Sequence, residues 1–177
     1  MIYVFKAPRV TLTGGSYING HTMINLNGSE INVLRAFLEN GVKFVVVGGR
    51  AVNFHGHLRP AQDLDVFYSK EQVNCEALLK VLNQDWGKSL TMNSLEAVVQ
   101  IDSYGGPIQL HCHIDGVSFL KAYADRVFGN SSGVLIPFIS CAHLIQNKRK
   151  SGRRPDRNKD IEDLQALQAI CKKPGAY

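Results

Sequence analysis

Two aspartates separated by one residue, Asp63 and Asp65, are the side chains whose types and spacing point most directly to chemistry. They lie in the stretch 63–67, where polar and apolar residues alternate as they do in a strand with one face on a core. Alternate residues of a strand project from the same face, so the two carboxylates would lie close together. Like charges repel each other there unless a cation lies between them. Mg²⁺ is the natural occupant, because it binds a few carboxylates together with water and substrate phosphates.

A strand that ends in two glycines precedes the aspartates. The β-branched and aromatic run 42–47 predicts a buried strand, Gly48 and Gly49 follow it directly, and a short helix is expected from Arg50 to about residue 55. Glycine lets backbone N–H groups approach a phosphate with no Cβ in the way, and the following helix directs its positive end at the same place. The pattern therefore predicts a phosphate-binding turn beside the aspartate strand.

The positive charge of the chain is concentrated in one segment near its C-terminal end. The chain has 177 residues and a formal net charge of +5, and segment 146–160 holds seven basic against two acidic residues, which equals the whole excess. Such a cluster attracts the phosphates of a nucleotide, RNA or DNA. A solvated loop between two helices accounts for it equally well.

Apolar spacing and capping residues predict that helices and strands alternate along the chain. Further helices are expected at about 29–41, 70–85, 118–127, 140–150 and 158–171, and further strands at 97–102, 108–114 and 134–138. This alternation is typical of an α/β or α+β domain. Turn signals at Gly14-Gly15 and Asn19-Gly20 indicate a short hairpin or an irregular extension at the N-terminal end.

The composition is that of a globular protein, with 45% apolar and 20% charged residues. No apolar run approaches the roughly 18 residues that a membrane helix needs, and the N-terminus lacks the basic-then-apolar order of a signal peptide. We therefore expect a cytoplasmic protein without membrane association. The four cysteines are widely spaced and form no Cys-x-x-Cys pair, which favours ordinary thiols over a zinc site or a disulfide framework: Cys75, Cys112, Cys141 and Cys171.

In this order, the strand, glycine turn, helix and Asp-x-Asp strand resemble the nucleotidyltransferase superfamily, which has a polymerase-beta-like fold. The sequence is similar in particular to small bacterial nucleotidyltransferase-like proteins related to the AbiEii toxin group, whose C-terminal pattern looks like segments 139–153 and 159–164 here. The resemblance covers about 42–167. It implies a nucleotidyltransferase-like domain over 29–177, with a small mixed central sheet flanked by helices and a helical C-terminal end. Residues 1–28 are not matched, and their turn signals predict an N-terminal extension or hairpin.

The resemblance also implies an activity, namely Mg²⁺-dependent transfer of an NMP from an NTP to a hydroxyl of a protein, an RNA or a small molecule. Asp63 and Asp65 would be the catalytic, metal-binding residues, with two magnesium ions. The implied nucleotide-binding residues are two glycines and three basic side chains: Gly48, Gly49, Arg50, Arg59 and Lys148. Either arginine would serve equally well as the partner of a nearby carboxylate.

One position departs from the pattern of this superfamily. Its members usually carry a third acidic residue on a later strand, and the matching residue here is Gln109. Glutamine is neutral and cannot act as a general base, so one magnesium ion is an alternative to two. His111 on the same strand face, or Asp102 or Asp115, would be a substitute base or ligand, and His111 as an ordinary strand residue is the competing interpretation. A zinc site built from His111, His113 and a distant cysteine is a further alternative that the spacing does not demand.

Two other functions stay open at this point. The first is a catalytically silent nucleotidyltransferase fold that binds a nucleotide or RNA through Gly48-Gly49 and the basic cluster of segment 146–160. The second, which follows from the resemblance alone, is the toxin of a toxin–antitoxin pair with an antitoxin as partner.

Overall fold

Eight strands form one mixed sheet in the computed structural model, which describes residues 17–18, 21–152 and 158–171. The strands are Tyr17–Ile18 (β1), His21–Met23 (β2), Phe44–Val47 (β3), Leu64–Tyr68 (β4), Val99–Ile101 (β5), Ile108–His111 (β6), Val127–Ser131 (β7) and Val134–Phe138 (β8). Their order across the sheet is β1-β2-β7-β8-β3-β4-β6-β5. β3 runs antiparallel to β4 and parallel to β8, and β4 runs parallel to β6.

Six α-helices flank this sheet within the described residues. They are Gly28–Glu39 (α1), Gly48–Phe54 (α2), Gln72–Asp85 (α3), Phe119–Ala124 (α4), Cys141–Ser151 (α5) and Asn158–Cys171 (α6), and a 3₁₀ helix spans Met92–Glu96. All four residues of β3 are buried, as expected for a central strand that is covered on both faces. No helix in the described ranges is long and apolar enough to cross a membrane.

The predicted α/β class is confirmed, and the local signals explain most of the elements. Asn27 caps α1 by accepting a hydrogen bond from the backbone N–H of Glu30, whose carboxylate in turn accepts from the N–H of Asn27. The predicted strand 134–138 and the predicted helix 158–171 have the bounds that the structure shows. The turn expected at Gly14-Gly15 lies outside the described residues. The expected domain boundary at residue 28 stays a prediction.

One predicted helix was too long, and its predicted end overlaps the first residue of a strand that was not predicted. The helix expected over 118–127 ends at Ala124, and β7 begins at Val127 and pairs antiparallel with β8. The two strands are joined by Ser132 and Gly133, which both have positive φ (51° and 82°), and this is the backbone of a tight two-residue hairpin. The Ser-Gly pair was the signal for this turn, and the strand before it was missed because it is short and mixes apolar with small residues.

The prediction that all four cysteines are ordinary thiols is wrong for two of them. Cys141 at the start of α5 and Cys171 at the end of α6 form a disulfide across 30 residues of sequence. Cys75 and Cys112 are free. The crosslink joins two helices that pack against each other, and sequence spacing cannot show a contact that only this packing creates. Disulfides are typical of oxidising compartments, so the cytoplasmic location stays a prediction.

We expect two thiols to react with Ellman's reagent when the protein is unfolded without reductant, and four after reduction. Reduction should also lower the free energy of unfolding by about 3 kcal/mol. The reason is that a crosslink that closes a loop of 30 residues restricts the unfolded chain. Urea unfolding with and without reductant measures the loss. Cys141→Ser should show the lower stability under both conditions, whereas Cys112→Ser should respond to reductant as the natural protein does. Four reactive thiols before reduction would contradict the crosslink.

Candidate active site

The turn after β3 holds a carboxylate against a glycine. Gly48 has φ of +62° at the start of α2, a conformation that side chains rarely adopt. A Cβ at this position would collide with Oδ2 of Asp65. The β3–β4 register causes this approach, because it pairs Val47 with Asp65. Glycine is therefore required here for the backbone conformation and for space, and the group that uses the space is the second aspartate of the Asp-x-Asp pair.

The two aspartates lie beside each other at the beginning of β4. Asp63 directly precedes the strand, Asp65 is its second residue, and both side chains are partly buried. Burial raises the pKa of Asp63, and repulsion from Asp65 raises it further, while Arg59 and His111 partly offset the rise. The two ionised carboxylates therefore destabilise each other. A cation bound between them would remove that cost.

A glutamine and a histidine complete this side of the site. Gln109 on β6 is in register with Asp65 on β4, so a neutral side chain lies beside the aspartate pair. His111 lies on the same face of β6, and its Nε2 is 2.9 Å from Oδ1 of Asp65. Asp65 thus approaches Gly48 with one carboxylate oxygen and His111 with the other.

Other residues that the sequence suggested as substitute ligands or as a zinc site, namely Asp102, Cys112 and His113, have other surroundings. The exposed Asp102 follows the edge strand β5 and accepts a hydrogen bond from Gln100 at 2.8 Å. His113 is exposed, and Sγ of Cys112 lies 3.8 Å from the carbonyl oxygen of Glu96. In the ranges that the structure describes, no three His, Cys, Asp or Glu side chains already surround a common point that could hold a metal ion. The zinc alternative thus has no preformed set of ligands there.

Two predicted phosphate ligands meet at a buried carboxylate. Asp163 on α6 is fully buried, and Arg59 donates to it from Nε at 2.6 Å and from Nη2 at 2.8 Å. Nζ of Lys148 on α5 lies 2.9 Å from the second oxygen of Asp163 and 2.5 Å from Asp160. The network joins both C-terminal helices to the loop that leads into Asp63. The sequence left open whether Arg59 binds phosphate or pairs with a carboxylate, and in the structure it pairs with the carboxylate of Asp163.

Arg59 also lies close to the glycine turn. A Cβ on Gly49 would come within 3.1 Å of Nη1 of Arg59, so the guanidinium group lies against the second glycine. Its Nη1 donates to the carbonyl oxygen of Pro60 at 2.9 Å. The hydrogen bonds with Asp163 raise the pKa of Arg59 and outweigh the opposing effect of its partial burial. The turn is therefore bordered by a permanent positive charge.

Arg50 is paired with a carboxylate on α1. Its Nε and Nη2 donate to one oxygen of the buried Glu30 at 3.0 and 2.7 Å, and the other oxygen of Glu30 caps the start of α1. The pair therefore fixes α2 against α1. Sequence reasoning missed the three acidic partners that hold the basic side chains: Glu30, Asp160 and Asp163. The spacing of Asp160 and Asp163 on one helix face was the available signal for two of them.

His55 is a second histidine, at the opposite end of α2 from the glycine turn, and its contact is with the backbone. It follows α2, is buried, and lies with Nε2 2.8 Å from the carbonyl oxygen of Ile139. Burial lowers its pKa to about 4, so the ring is neutral at pH 7 and donates this hydrogen bond through Nε2. The contact fixes the end of α2 to the segment that follows β8.

The fold is similar to that of solved nucleotidyltransferase structures. One is the lincosamide antibiotic adenylyltransferase LnuA with lincomycin bound, which is 18% identical, superposes with a TM-score of 0.55, and matches over 83% of this chain and 99% of that one. Another is an antigenic nucleotidyltransferase-like protein from Paracoccidioides brasiliensis, with 14% identity, a TM-score of 0.52, and coverage of 80% and 75%. At these identities the likeness shows the fold alone: the chain has a nucleotidyltransferase fold. No protein-family profile and no curated protein matches the sequence, and the finer AbiEii relationship stays a prediction.

We expect Asp163→Asn to lower the free energy of unfolding at pH 7 by about 3–5 kcal/mol, because it leaves two cations around a neutral amide in a buried position. Burial alone would raise the pKa of Asp163, but the hydrogen bonds from Arg59 and Lys148 outweigh it and lower the pKa. Its stabilising contribution is therefore complete above the ordinary pKa of 3.8 and disappears as the pH falls through the lower folded-state value.

Urea unfolding at pH 7 and at acid pH measures both effects. The matched control is Asp125→Asn, which removes a carboxylate that is 66% exposed and paired with His143, and it should cost less than about 1 kcal/mol. Equal losses for the two variants at pH 7 would contradict the importance of the buried network.

Proposed function

We propose that the chain is a Mg²⁺-dependent nucleotidyltransferase that transfers an NMP from an NTP to an acceptor hydroxyl. The observation that carries this proposal is the approach of the Asp65 carboxylate to Gly48, with Asp63 beside it directly before the same strand. The atoms nearest to a Cβ at this position all belong to Asp65, so the glycine leaves room for that carboxylate at the turn. The nucleotidyltransferase fold gives the arrangement a context in which nucleotidyl transfer is the supported class of reaction.

The donor set fits a magnesium ion. Asp63 and Asp65 offer carboxylate oxygens, the ligands that Mg²⁺ prefers, and substrate phosphates and water would complete its coordination. The raised pKa of Asp63 fits this role, since a cation would relieve the repulsion that contributes to it. Gln109 contributes no charge, so we propose one resident ion. When bound, it would stabilise the charge on the transferring phosphoryl group and make the acceptor hydroxyl more acidic.

We place the triphosphate at the glycine turn. Backbone N–H groups at the start of a helix lack partners within the helix and can donate to phosphate oxygens, and Gly48 and Gly49 begin α2. Arg59, whose guanidinium group lies against Gly49, would add positive charge there. Lys148 would contribute by holding Asp163 and Arg59 in place, and Arg50 by fixing α2.

We favour a small molecule as the acceptor. The support is the fold shared with LnuA, which is named as an adenylyltransferase and was solved with lincomycin. An RNA or protein acceptor, and an antitoxin partner, rest on the AbiEii resemblance. The basic residues of segment 146–160 favour RNA among these, apart from Lys148, which is buried and paired with Asp160 and Asp163; residues 153–157 lie outside the described residues.

A silent nucleotide-binding protein is the second candidate. One observation favours it: Gln109 is in register with Asp65, so the strand next to the aspartates brings an amide where a carboxylate would serve as a base. Under this proposal, the protein binds a nucleotide and a metal ion through the same residues without turnover.

We expect calorimetric titration with the four NTPs and Mg²⁺ to show metal-dependent binding that Asp63→Asn/Asp65→Asn reduces by at least roughly tenfold, because an amide cannot replace the charge of a metal-binding carboxylate. Asp102→Asn is the matched control, since it neutralises an exposed aspartate outside the site, and it should bind as the natural protein does. A pyrophosphate-release assay with a panel of hydroxylated small molecules and RNA follows. Both candidates would be contradicted if the natural protein bound no NTP, or if Asp102→Asn lost NTP binding while Asp63→Asn/Asp65→Asn kept it.

The release assay separates the two candidates. Pyrophosphate release by the natural protein supports the transferase. We expect Gln109→Asp to increase that release by restoring a carboxylate beside Asp65. Tight binding without release in the natural protein, together with release by Gln109→Asp, would establish the silent protein instead.

A further inference from the structure

The contact between His111 and Asp65 has a geometry that suits two ligands of one metal ion. Nε2 of His111 lies 2.9 Å from Oδ1 of Asp65, and both side chains are mostly but not fully buried, with 20% and 17% exposed. Both groups come from neighbouring parallel strands, so the sheet itself fixes their separation. On adjacent corners of an octahedron with metal–ligand bonds of about 2.1 Å, two donor atoms lie about 3 Å apart. The observed separation meets this condition.

We propose that His111 is a nitrogen ligand of the cation held by Asp63 and Asp65, and that it makes the site favour a first-row transition dication such as Mn²⁺ over Mg²⁺. This inference rests on the proposed function, because it assigns a further ligand to the same metal site. It also gives the site a third donor on the strand that carries Gln109.

Coordination through Nε2 requires that the ring proton reside on Nδ1. A neutral imidazole carries one proton and one lone pair, so a change of tautomer exposes the Nε2 lone pair to the cation with no change in net charge. The hydrogen bond to Asp65 is then replaced by bonds from both atoms to the same ion. Asp63, which does not yet converge with them on one point, would turn toward the ion as a third ligand.

The identity of the donors explains the expected preference. Mg²⁺ is bound mainly by oxygen, whereas imidazole nitrogen suits first-row transition metals. Replacing a third carboxylate by a neutral imidazole also removes a negative charge, which weakens the purely electrostatic attraction on which Mg²⁺ depends. Two carboxylates and one imidazole therefore shift the balance toward a transition dication.

The competing role for His111 is positioning alone, in which its N–H orients Asp65 and never reaches the metal. His111→Gln separates the two roles, because the glutamine amide can still donate to Asp65 but supplies no imidazole nitrogen. His113→Gln is the matched control, since it removes an exposed histidine from the same segment. Circular dichroism melting of each variant checks that it folds.

The test is electron spin-echo spectroscopy of the Mn²⁺-loaded protein, with Mn²⁺ and Mg²⁺ affinities measured by calorimetry. We expect nitrogen-14 modulation from a coordinated imidazole in the natural protein and in His113→Gln, and its loss in His111→Gln. Mn²⁺ affinity should fall roughly tenfold in His111→Gln, while Mg²⁺ affinity changes by less than about twofold. His111→Glu should retain metal binding but shift the preference toward Mg²⁺.

Mn²⁺ binding that depends on Asp63 and Asp65 but shows no nitrogen modulation would overturn the ligand role of His111 and leave the proposed function intact. Equal Mn²⁺ and Mg²⁺ affinities in the natural protein would overturn the preference. Absence of any divalent binding by the natural protein would overturn the proposed function and this inference together.

Discussion

The buried carboxylate of Asp163 is the constraint on which the arrangement of the site depends. A fully buried ionised group is costly unless cations accompany it, and Arg59 and Lys148 supply them from two separate parts of the chain. Helix α6 can therefore dock only where the loop before β4 and helix α5 both meet it. That docking places Arg59 against Gly49 and fixes the approach to Asp63. The C-terminal helix thus shapes a site to which it contributes no proposed metal ligand.

Features encoded by neighbouring residues could be predicted from the sequence. The apolar run before Gly48, the short helix after it and the alternation around Asp63 and Asp65 depend on local spacing, and the structure has a strand, a helix and a strand there. The capping residues at Asn27 acted in the same local way. These signals were sufficient for the α/β class and for the position of the aspartate pair.

What could not be predicted depends on contacts between distant residues. Arg50 and Lys148 were assigned to phosphate by the family resemblance, but their partners, Glu30 and Asp163, lie on other helices. The Cys141–Cys171 bond follows from the packing of two helices rather than from any spacing motif. The hydrogen-bonding distance between His111 and Asp65 depends on strand register, although the shared strand face of Gln109 and His111 was visible in the alternation.

The strand order has a consequence for how the chain is assembled during synthesis. β2, near the N-terminus, joins the sheet beside β7, with Met23 opposite Asn130. β1 and β2 can pair with each other early, but they cannot join the rest of the sheet until most of the chain has left the ribosome. Arg59 acquires its partner later still in synthesis, because its carboxylate lies 104 residues further along the chain. Synthesis thus delivers the strand of the aspartate pair early and the helix that supports it late, so nascent chains carry the aspartates well before the framework that positions them.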